Sequence, residues 1–377
     1  MNIDGVTKRA ITSGRSFSVM AKNLSSLIQR HLRGKTILLT GGTGSFGQRL
    51  AKILIEHFSF KSLRIFSRDE LKQHDMSRQF TDGRIRYLIG DVRDANRVQR
   101  AVQGVDLIIH AAAMKQVPTC EYNPFEAVRT NVIGAQNLID AAIDQHVQHI
   151  MALSTDKAVN PINLYGATKL CAERIFVQGN SYVGAGPTRM SCVRYGNVLG
   201  SRGSVVPVFE TQRSQGEVTV TDKRMTRFWL TLDQAAWFVL RCLTLARGGE
   251  IFVPKIPSIG ILDLVKAMAP ECSIKYIGLR PGEKLHEVLL TEDESRHTME
   301  YDDLFAVLPE YQSWQGRARE GSAGRRRSLP EGFRYSSENN THWLSVPELR
   351  NLLVQNGFNA GTLAAKKSRG LVVYSKV

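Results

Sequence analysis

Residues 36–47 read TILLTGGTGSFG. The first five are an apolar run suited to a strand covered on both faces. Gly41, Gly44 and Gly47 then follow at GxxGxxG spacing, and helical periodicity begins at about residue 46. Glycines at these points permit a tight turn and let backbone approach a pyrophosphate. The helix start beyond them offers free N–H groups and a favourable dipole. A glycine pattern alone is weak. Lodged between a strand and a helix it predicts a dinucleotide site built from Gly41, Thr43, Gly44, Ser45, Phe46 and Gly47.

Outward from this turn the chain alternates. Strand-like runs fall at 36–40, 63–67, 85–90, 105–112, 149–154 and 190–195, with helical stretches near 46–58, 70–79, 94–102, 124–146 and 163–178. Such a series predicts an α/β fold with a doubly wound parallel sheet. After 197 the pattern loosens, with helices expected near 232–247, 261–269 and 346–357. The predicted organisation is a basic extension at 1–34, a dinucleotide domain at 35–197, a smaller substrate lobe at 198–310 with some chain returning to the core, and a C-terminal segment and tail at 311–377. In the extension, Phe17, Met20, Leu24, Leu27, Ile28 and Leu32 recur at helical spacing. Residues 315–330 read as a linker, and the last twenty, with Lys366, Lys367 and Arg369, as a tail.

Composition narrows the class. The chain has 377 residues, 42% apolar and 23% charged. At about 150 residues per domain that suits two domains, or one large domain with a lobe. There is no run of about 18 apolar residues to span a membrane. Five scattered cysteines without a CxxC pair fit a reducing, cytoplasmic setting and argue against a zinc cluster. The net charge is +15. Six Lys/Arg and one acid in 1–34 give +5, and eleven Lys/Arg and four acids in 311–377 give +7, leaving +3 for the middle. A groove for nucleic acid would put its charge on the folded core, so neither nucleic acid nor membrane is an expected partner.

The end of the second strand selects the cofactor. An acid there would hold the ribose of NAD, and a basic group favours the 2′-phosphate of NADP. Ser67 and Arg68 stand in that place, with Asp69 next and Lys72 one turn on. The signal is mixed and favours NADP. Asp91 and Val92, after the third strand, are placed to meet the adenine.

Two segments carry chemistry. Strand 149–154 runs into Thr155-Asp156-Lys157, and Tyr165 and Lys169 follow at i and i+4 on one helix face. The Lys169 ammonium is expected to lower the Tyr165 pKa, so that Tyr165 takes a hydroxyl proton while hydride leaves the same carbon. Thr155 can hold that oxygen. Asp156 and Lys157 add an acid and a base, the pair that an elimination of water would need. A lysine base must be neutral, so its pKa is expected to fall. His110 reads as a packed strand-end histidine, and neither His286 nor Cys120 has partners for a metal site.

These motifs form a longer set: GGTGSFG (41–47), HAAAMKQVPTCEYNPFEAVRTNVIGAQN (110–137), LSTDKAVNPINLYGATKLCAE (153–173), RYGNVLGSRGSVVP (194–207), TDKRMTRFWLTLDQ (221–234), GGEIFVPKIPS (248–258) and IGLRPGEKLHE (277–287). Together they closely resemble the inverting UDP-N-acetylglucosamine 4,6-dehydratases, extended short-chain dehydrogenase/reductase enzymes, over about residues 35–350. The resemblance implies that Tyr165 and Lys169 oxidise C4 with NADP, that Asp156 is the acid at C6 and that Lys157 is the base at C5. It implies hydride return to C6 and a UDP-2-acetamido-2,6-dideoxy-β-L-arabino-hexos-4-ulose product, the start of pseudaminic acid synthesis. It further implies that Ala111, Ala112, Lys115 and Asn131 serve the cofactor. Asn197, Ser204 and Val205, with Lys115, would face the UDP-sugar, and Arg202, Arg227, Arg280 and Glu283 its nucleotide. A homo-oligomer is also implied. A UDP-sugar 4-epimerase, a C5-retaining dehydratase and a non-catalytic dinucleotide-sensing or RNA-binding protein remain the alternatives.

Overall fold

The computed structural model describes residues 16–201, 203–311 and 327–359. Six parallel strands come first: β1 (Thr36–Thr40), β2 (Ser62–Ser67), β3 (Ile85–Ile89), β4 (Leu107–His110), β5 (His149–Thr155) and β6 (Arg189–Tyr195). They lie in the order β3-β2-β1-β4-β5-β6. The strand order reverses between β1 and β4, which opens a crevice at the carboxyl ends of the strands. Every residue of β1 and β4 is buried, as continuous apolar runs require. Two groups of helices cover the sheet. Ala95–Val102, Gly134–Asp144 and Leu164–Gly179 pack in one, and Ser16–Leu32, Ser45–His57 and Leu232–Leu245 in the other. The fold is a doubly wound α/β sheet.

The sheet continues beyond β6 to ten strands. Ile251–Pro254 pairs parallel to β6, and Leu304–Val307, Thr298–Glu300 and Arg327–Ser328 add antiparallel strands. A second apolar cluster, including Val206, Phe209, Trp229, Leu264 and Leu353, sits apart from the main core. Around it lie a three-stranded sheet (Ser258–Gly260, Thr226–Leu230, Asn197–Val198) and a parallel pair (Glu217–Val220, Ser273–Tyr276).

The helix expected at 124–146 is interrupted. It runs as Pro124–Val128, a π turn at Arg129–Ile133, and Gly134–Asp144. In that turn Asn131 is buried, and its Oδ1 accepts from Met114 N at 2.8 Å. Its Nδ2 donates to Met114 O and to Thr168 Oγ1, both at 3.0 Å. The N-terminal amphipathic helix spans Ser16–Leu32, with Ile28 and Leu32 buried in the main core and Leu24 packed against it. Leu27, expected on the same apolar face, is exposed. The Phe17 and Met20 side chains, most of the expected linker and the C-terminal tail lie outside the described residues.

Candidate active site

At the end of β1 the backbone turns sharply at Gly41, where φ is +66°. A Cβ there would stand 2.8 Å from the backbone of Ala111 and Ala112, so only glycine fits. Gly41 N donates to Phe66 O at 2.8 Å, tying the turn to β2. Helix Ser45–His57 begins at Gly44 with no side-chain cap, and its first turn lines the crevice. A glycine cradle opening on an uncapped helix start fits the pyrophosphate of a dinucleotide.

The crevice is a cavity of about 580 Å³. Gly41, Thr43, Gly44, Ser45, Phe46 and Gly47 line one side, and Ser67, Arg68, Lys72, Asp91, Val92, Ala111, Ala112 and Lys115 line the strand ends beside them. Thr155, Asp156, Lys157, Tyr165 and Lys169 line the next stretch, and Asn197, Ser204 and Val205 close it. Six lining residues hold a buried polar atom without a protein hydrogen-bond partner: Thr130 Oγ1, Ser154 Oγ, Asp156 Oδ2, Asn197 Oδ1, Ser204 Oγ and Trp229 Nε1. Ser154, Gln116 and Trp229 were not singled out from the sequence.

At the cofactor-selecting end, both acids have basic partners. Lys72 Nζ pairs with Asp69, whose Oδ1 also caps the helix by accepting from Lys72 N at 3.0 Å. Arg68 Nη1 lies 3.6 Å from Asp91 Oδ2, and Arg93 Nη2 donates to the same oxygen at 2.6 Å. Against the effect of burial, Arg93 and Arg68 hold the Asp91 carboxyl below its ordinary range.

Around Tyr165 the electrostatics differ from the sequence reading. Burial pushes the Tyr165 hydroxyl up to about 12. The ammonium that works against this rise is that of Lys157, helped by a hydrogen bond to Thr155. Lys169 is engaged elsewhere: its Nζ donates to Leu153 O at 2.7 Å, and burial lowers its pKa. Lys157 also departs from expectation. Burial disfavours its charge, but Asp156 and Glu287 outweigh that and raise its pKa above the ordinary lysine value. Asp156 is fully buried, and burial first, then the Glu287 carboxylate, push its carboxyl up. Its Oδ1 accepts from Thr155 Oγ1 and Lys157 Nζ, each at 3.0 Å. His110 pairs with Thr40 Oγ1 at 2.8 Å, and burial, then Lys169, drop its pKa to about 3. It is a neutral, packed strand-end histidine.

Several expected residues are not in the cavity lining. Asn131 stands behind it and holds the loop after β4 through Met114. Arg227 is turned into the protein, where Nη1 donates to Thr226 O and Leu285 O and Nη2 to Lys284 O. Arg280 and Glu283 sit on the 277–287 loop, with Glu283 N donating to Arg280 O at 3.1 Å. Arg202 lies outside the described residues. Glu287, which the sequence reading passed over, reaches Lys157 Nζ at 3.3 Å. It stands in the 277–287 motif, but no local spacing connects it to Lys157.

A family model described as polysaccharide biosynthesis protein matches residues 37–309. An inverting UDP-N-acetylglucosamine 4,6-dehydratase from Campylobacter jejuni is 49% identical over 327 residues, which is 85% of this chain and 97% of that protein. The chain belongs to the inverting UDP-N-acetylglucosamine 4,6-dehydratase family. Other relatives of this dehydratase family member carry a different name. A UDP-glucose 4-epimerase from Rickettsia akari is 44% identical over 268 residues, 69% of this chain and 79% of that one. Among solved structures, Pen from Bacillus thuringiensis is 40% identical, with a TM-score of 0.78, covering 86% of this chain and 98% of that chain. DesIV from Streptomyces venezuelae, a dTDP-glucose 4,6-dehydratase with NAD and TYD bound, is 22% identical with a TM-score of 0.58 and shares the fold. Its alignment covers 66% of this chain and 86% of that chain.

Proposed function

We propose that this protein is a UDP-N-acetylglucosamine 4,6-dehydratase that inverts C5. The observation that carries this is the cluster of Thr155, Asp156 and Lys157 beside Tyr165, in one cavity with the glycine turn. An epimerase needs the tyrosine and a dinucleotide; it has no use for a buried acid and amine within hydrogen-bond reach of each other. Tyr165 takes the C4 hydroxyl proton, and Thr155 holds that oxygen. A dinucleotide held by the glycine turn at Gly41, Gly44 and Gly47 would supply the hydride chemistry at C4 and C6. A ketone at C4 makes the C5 proton acidic, and Lys157 removes it. Asp156, whose carboxyl is pushed up by burial, protonates the departing C6 hydroxyl, which leaves as water. C5 then regains a proton on the opposite face. One water is lost per turnover and no net redox change occurs.

We read the cofactor as NADP, supported by Ser67, Arg68 and Lys72 at the end of β2, where both neighbouring acids already have basic partners. We read the Arg280 and Glu283 loop as the side from which the nucleotide is held, and Arg227 as its brace. The exposed Tyr122, Phe125 and Tyr182 support self-association, and the five free cysteines support a reducing compartment. Among the described residues no helix is long and apolar enough to cross a membrane. On the resemblance set out above, we read the product as the precursor of pseudaminic acid.

The test is proton NMR of the purified protein with UDP-N-acetylglucosamine in D₂O. A new C6 methyl signal with deuterium at C5, and ring couplings of the inverted sugar, are expected. The galacto epimer as sole product would move the assignment to the epimerase.

A further inference from the structure

Lys157 has a second carboxylate partner, from a distant part of the chain. Its Nζ lies 3.0 Å from Asp156 Oδ1 and 3.3 Å from Glu287 Oε1. Glu287 is only 2% exposed. Its backbone is clamped on both sides: its N–H donates to Ser337 Oγ at 2.9 Å, and its carbonyl accepts from Ser337 N at 2.8 Å. Arg227 Nε stands 3.8 Å from Oε1. The other oxygen, Oε2, is buried with no hydrogen-bond partner in the protein. A carboxylate kept only for structure is normally given donors on both oxygens, because an unpaired buried oxygen costs stability. Here the backbone is fixed and one oxygen is aimed at the amine.

We propose that Glu287 is a positioning residue for the C5 base: it holds Lys157 Nζ in place and sets the pH at which that amine becomes free to take a proton. This rests on the dehydratase reading above. The proton accounting is simple. The ammonium loses one proton to solvent, giving a neutral amine beside the Glu287 carboxylate. Abstraction at C5 breaks one C–H bond and restores the ammonium. The C–H electron pair passes towards the C4 ketone, giving the enolate from which the C6 hydroxyl departs.

The other charged or titratable groups around Lys157 come from every neighbouring element. Asp156 shares its turn, Tyr165 comes from helix Leu164–Gly179, and Lys115 from the loop after β4. Arg227 comes from strand Thr226–Leu230, and Lys284 from the same loop as Glu287. Arg227, Lys115 and Lys284 are cationic and favour the neutral amine. Burial and the Glu287 carboxylate push the Asp156 carboxyl up, against Lys157 and Thr155. Asp156 and Glu287 are the two carboxylates that keep the proton on Lys157, and Glu287 is the one that the elimination does not use as its acid. A neighbouring opposite charge favours the charged form, so removing it must lower the lysine pKa.

The experiment follows C5 deuterium incorporation against pH, with holoenzyme and UDP-N-acetylglucosamine in D₂O. Exchange requires neutral Lys157 and therefore rises with pH. In Glu287→Gln this rising limb is expected about one pH unit or more lower than in the wild type. Reduction of the bound nicotinamide in a single turnover should still occur in the variant, since Tyr165 and Lys169 are untouched. Glu287→Asp keeps the charge but withdraws it by one carbon, so its limb should move the same way by less. A limb that stays in place in Glu287→Gln, or a uniform loss at every pH, overturns the inference. If the Gln variant does not fold, an unmoved limb in Glu287→Asp does the same. Wild-type protein that reduces its nicotinamide but never labels C5 would overturn the dehydratase reading itself, a result separate from the behaviour of the variants.

Discussion

In the proposed mechanism Lys157 and Tyr165 divide the chemistry between two steps, and their variants should fail at different places. Lys157→Ala removes the base but leaves the glycine turn, Thr155 and Tyr165 in position. It should bind the dinucleotide and oxidise C4, yet lose dehydration by about 10²- to 10⁴-fold, the usual contribution of a positioned base. Single-turnover absorbance of the reduced nicotinamide, read beside methyl formation, checks this. Full dehydration in that variant would remove Lys157 from the mechanism. Tyr165→Phe should stop earlier, with no reduced nicotinamide formed. That these residues share one cavity was legible, because YxxxK and the strand-end Thr-Asp-Lys lie within twenty residues of one another. Their protonation was not. Helical spacing sets Lys169 beside Tyr165, whereas the fold turns Lys169 to Leu153 O and brings Lys157 to the phenol instead. Glu287 was illegible for a related reason: its approach to Lys157 depends on the Ser337 clamp and on how the later chain docks.

Two elements meet at the catalytic turn with almost no space between them. Helix Leu164–Gly179 begins at Asn163, whose Oδ1 accepts from Gly166 N at 2.8 Å and whose Nδ2 donates to Gly282 O at 2.8 Å. One cap therefore orients the helix and ties it to the 277–287 loop. At Gly166 a Cβ would come within 2.1 Å of Lys157 O and 3.0 Å of Pro161 Cβ. Gly166→Ala must displace the 3₁₀ turn Asp156–Ala158, and with it Asp156 and Lys157. Overpacking of this kind costs about 1–3 kcal/mol. The expected result is a lower urea midpoint together with a larger loss in dehydration than in dinucleotide binding. Wild-type activity at wild-type stability would show that the turn tolerates the shift. At this scale the periodic helices and strands were legible to within a few residues. The π turn at Arg129–Ile133 was not, since it is set by Asn131 bonding across to Met114 and Thr168, a contact with no local signal.

Across the whole molecule, the parallel half of the sheet could be read from alternating apolar runs, but the antiparallel extension could not. Leu304–Val307 joins Ile251–Pro254 after some fifty residues, and nothing local in either strand specifies that partner. The same long-range dependence applies to helix Ser16–Leu32, which the glycine-turn pattern does not include. It carries His31, whose ring meets that of His149 edge-on, 5.2 Å between centroids, at the start of β5. His31 Nε2 and His149 Nδ1 are buried without partners. Burial lowers both pKa values, His149 to about 4, and His31, Arg189, Arg247 and Lys35 add to the drop at His149. A histidine depressed in the folded state binds fewer protons there than in the unfolded chain. Its contribution to stability is therefore complete above about pH 6.5 and is lost as pH falls towards 4. At 1.36 kcal/mol per pKa unit, His149 alone accounts for about 3 kcal/mol over that window. The N-terminal helix should loosen first, because His31 packs its ring against that of His149 in β5, and hydrogen exchange over Ser16–Leu32 should quicken between pH 7 and 5 ahead of the strands. His149→Phe keeps a ring in place and cannot titrate, so its stability should fall less steeply over the same range. An unchanged slope in that variant would assign the acid sensitivity to other groups. Thr155 lies at the far end of β5 from His149, so the active-site cluster should keep its geometry while the helix loosens.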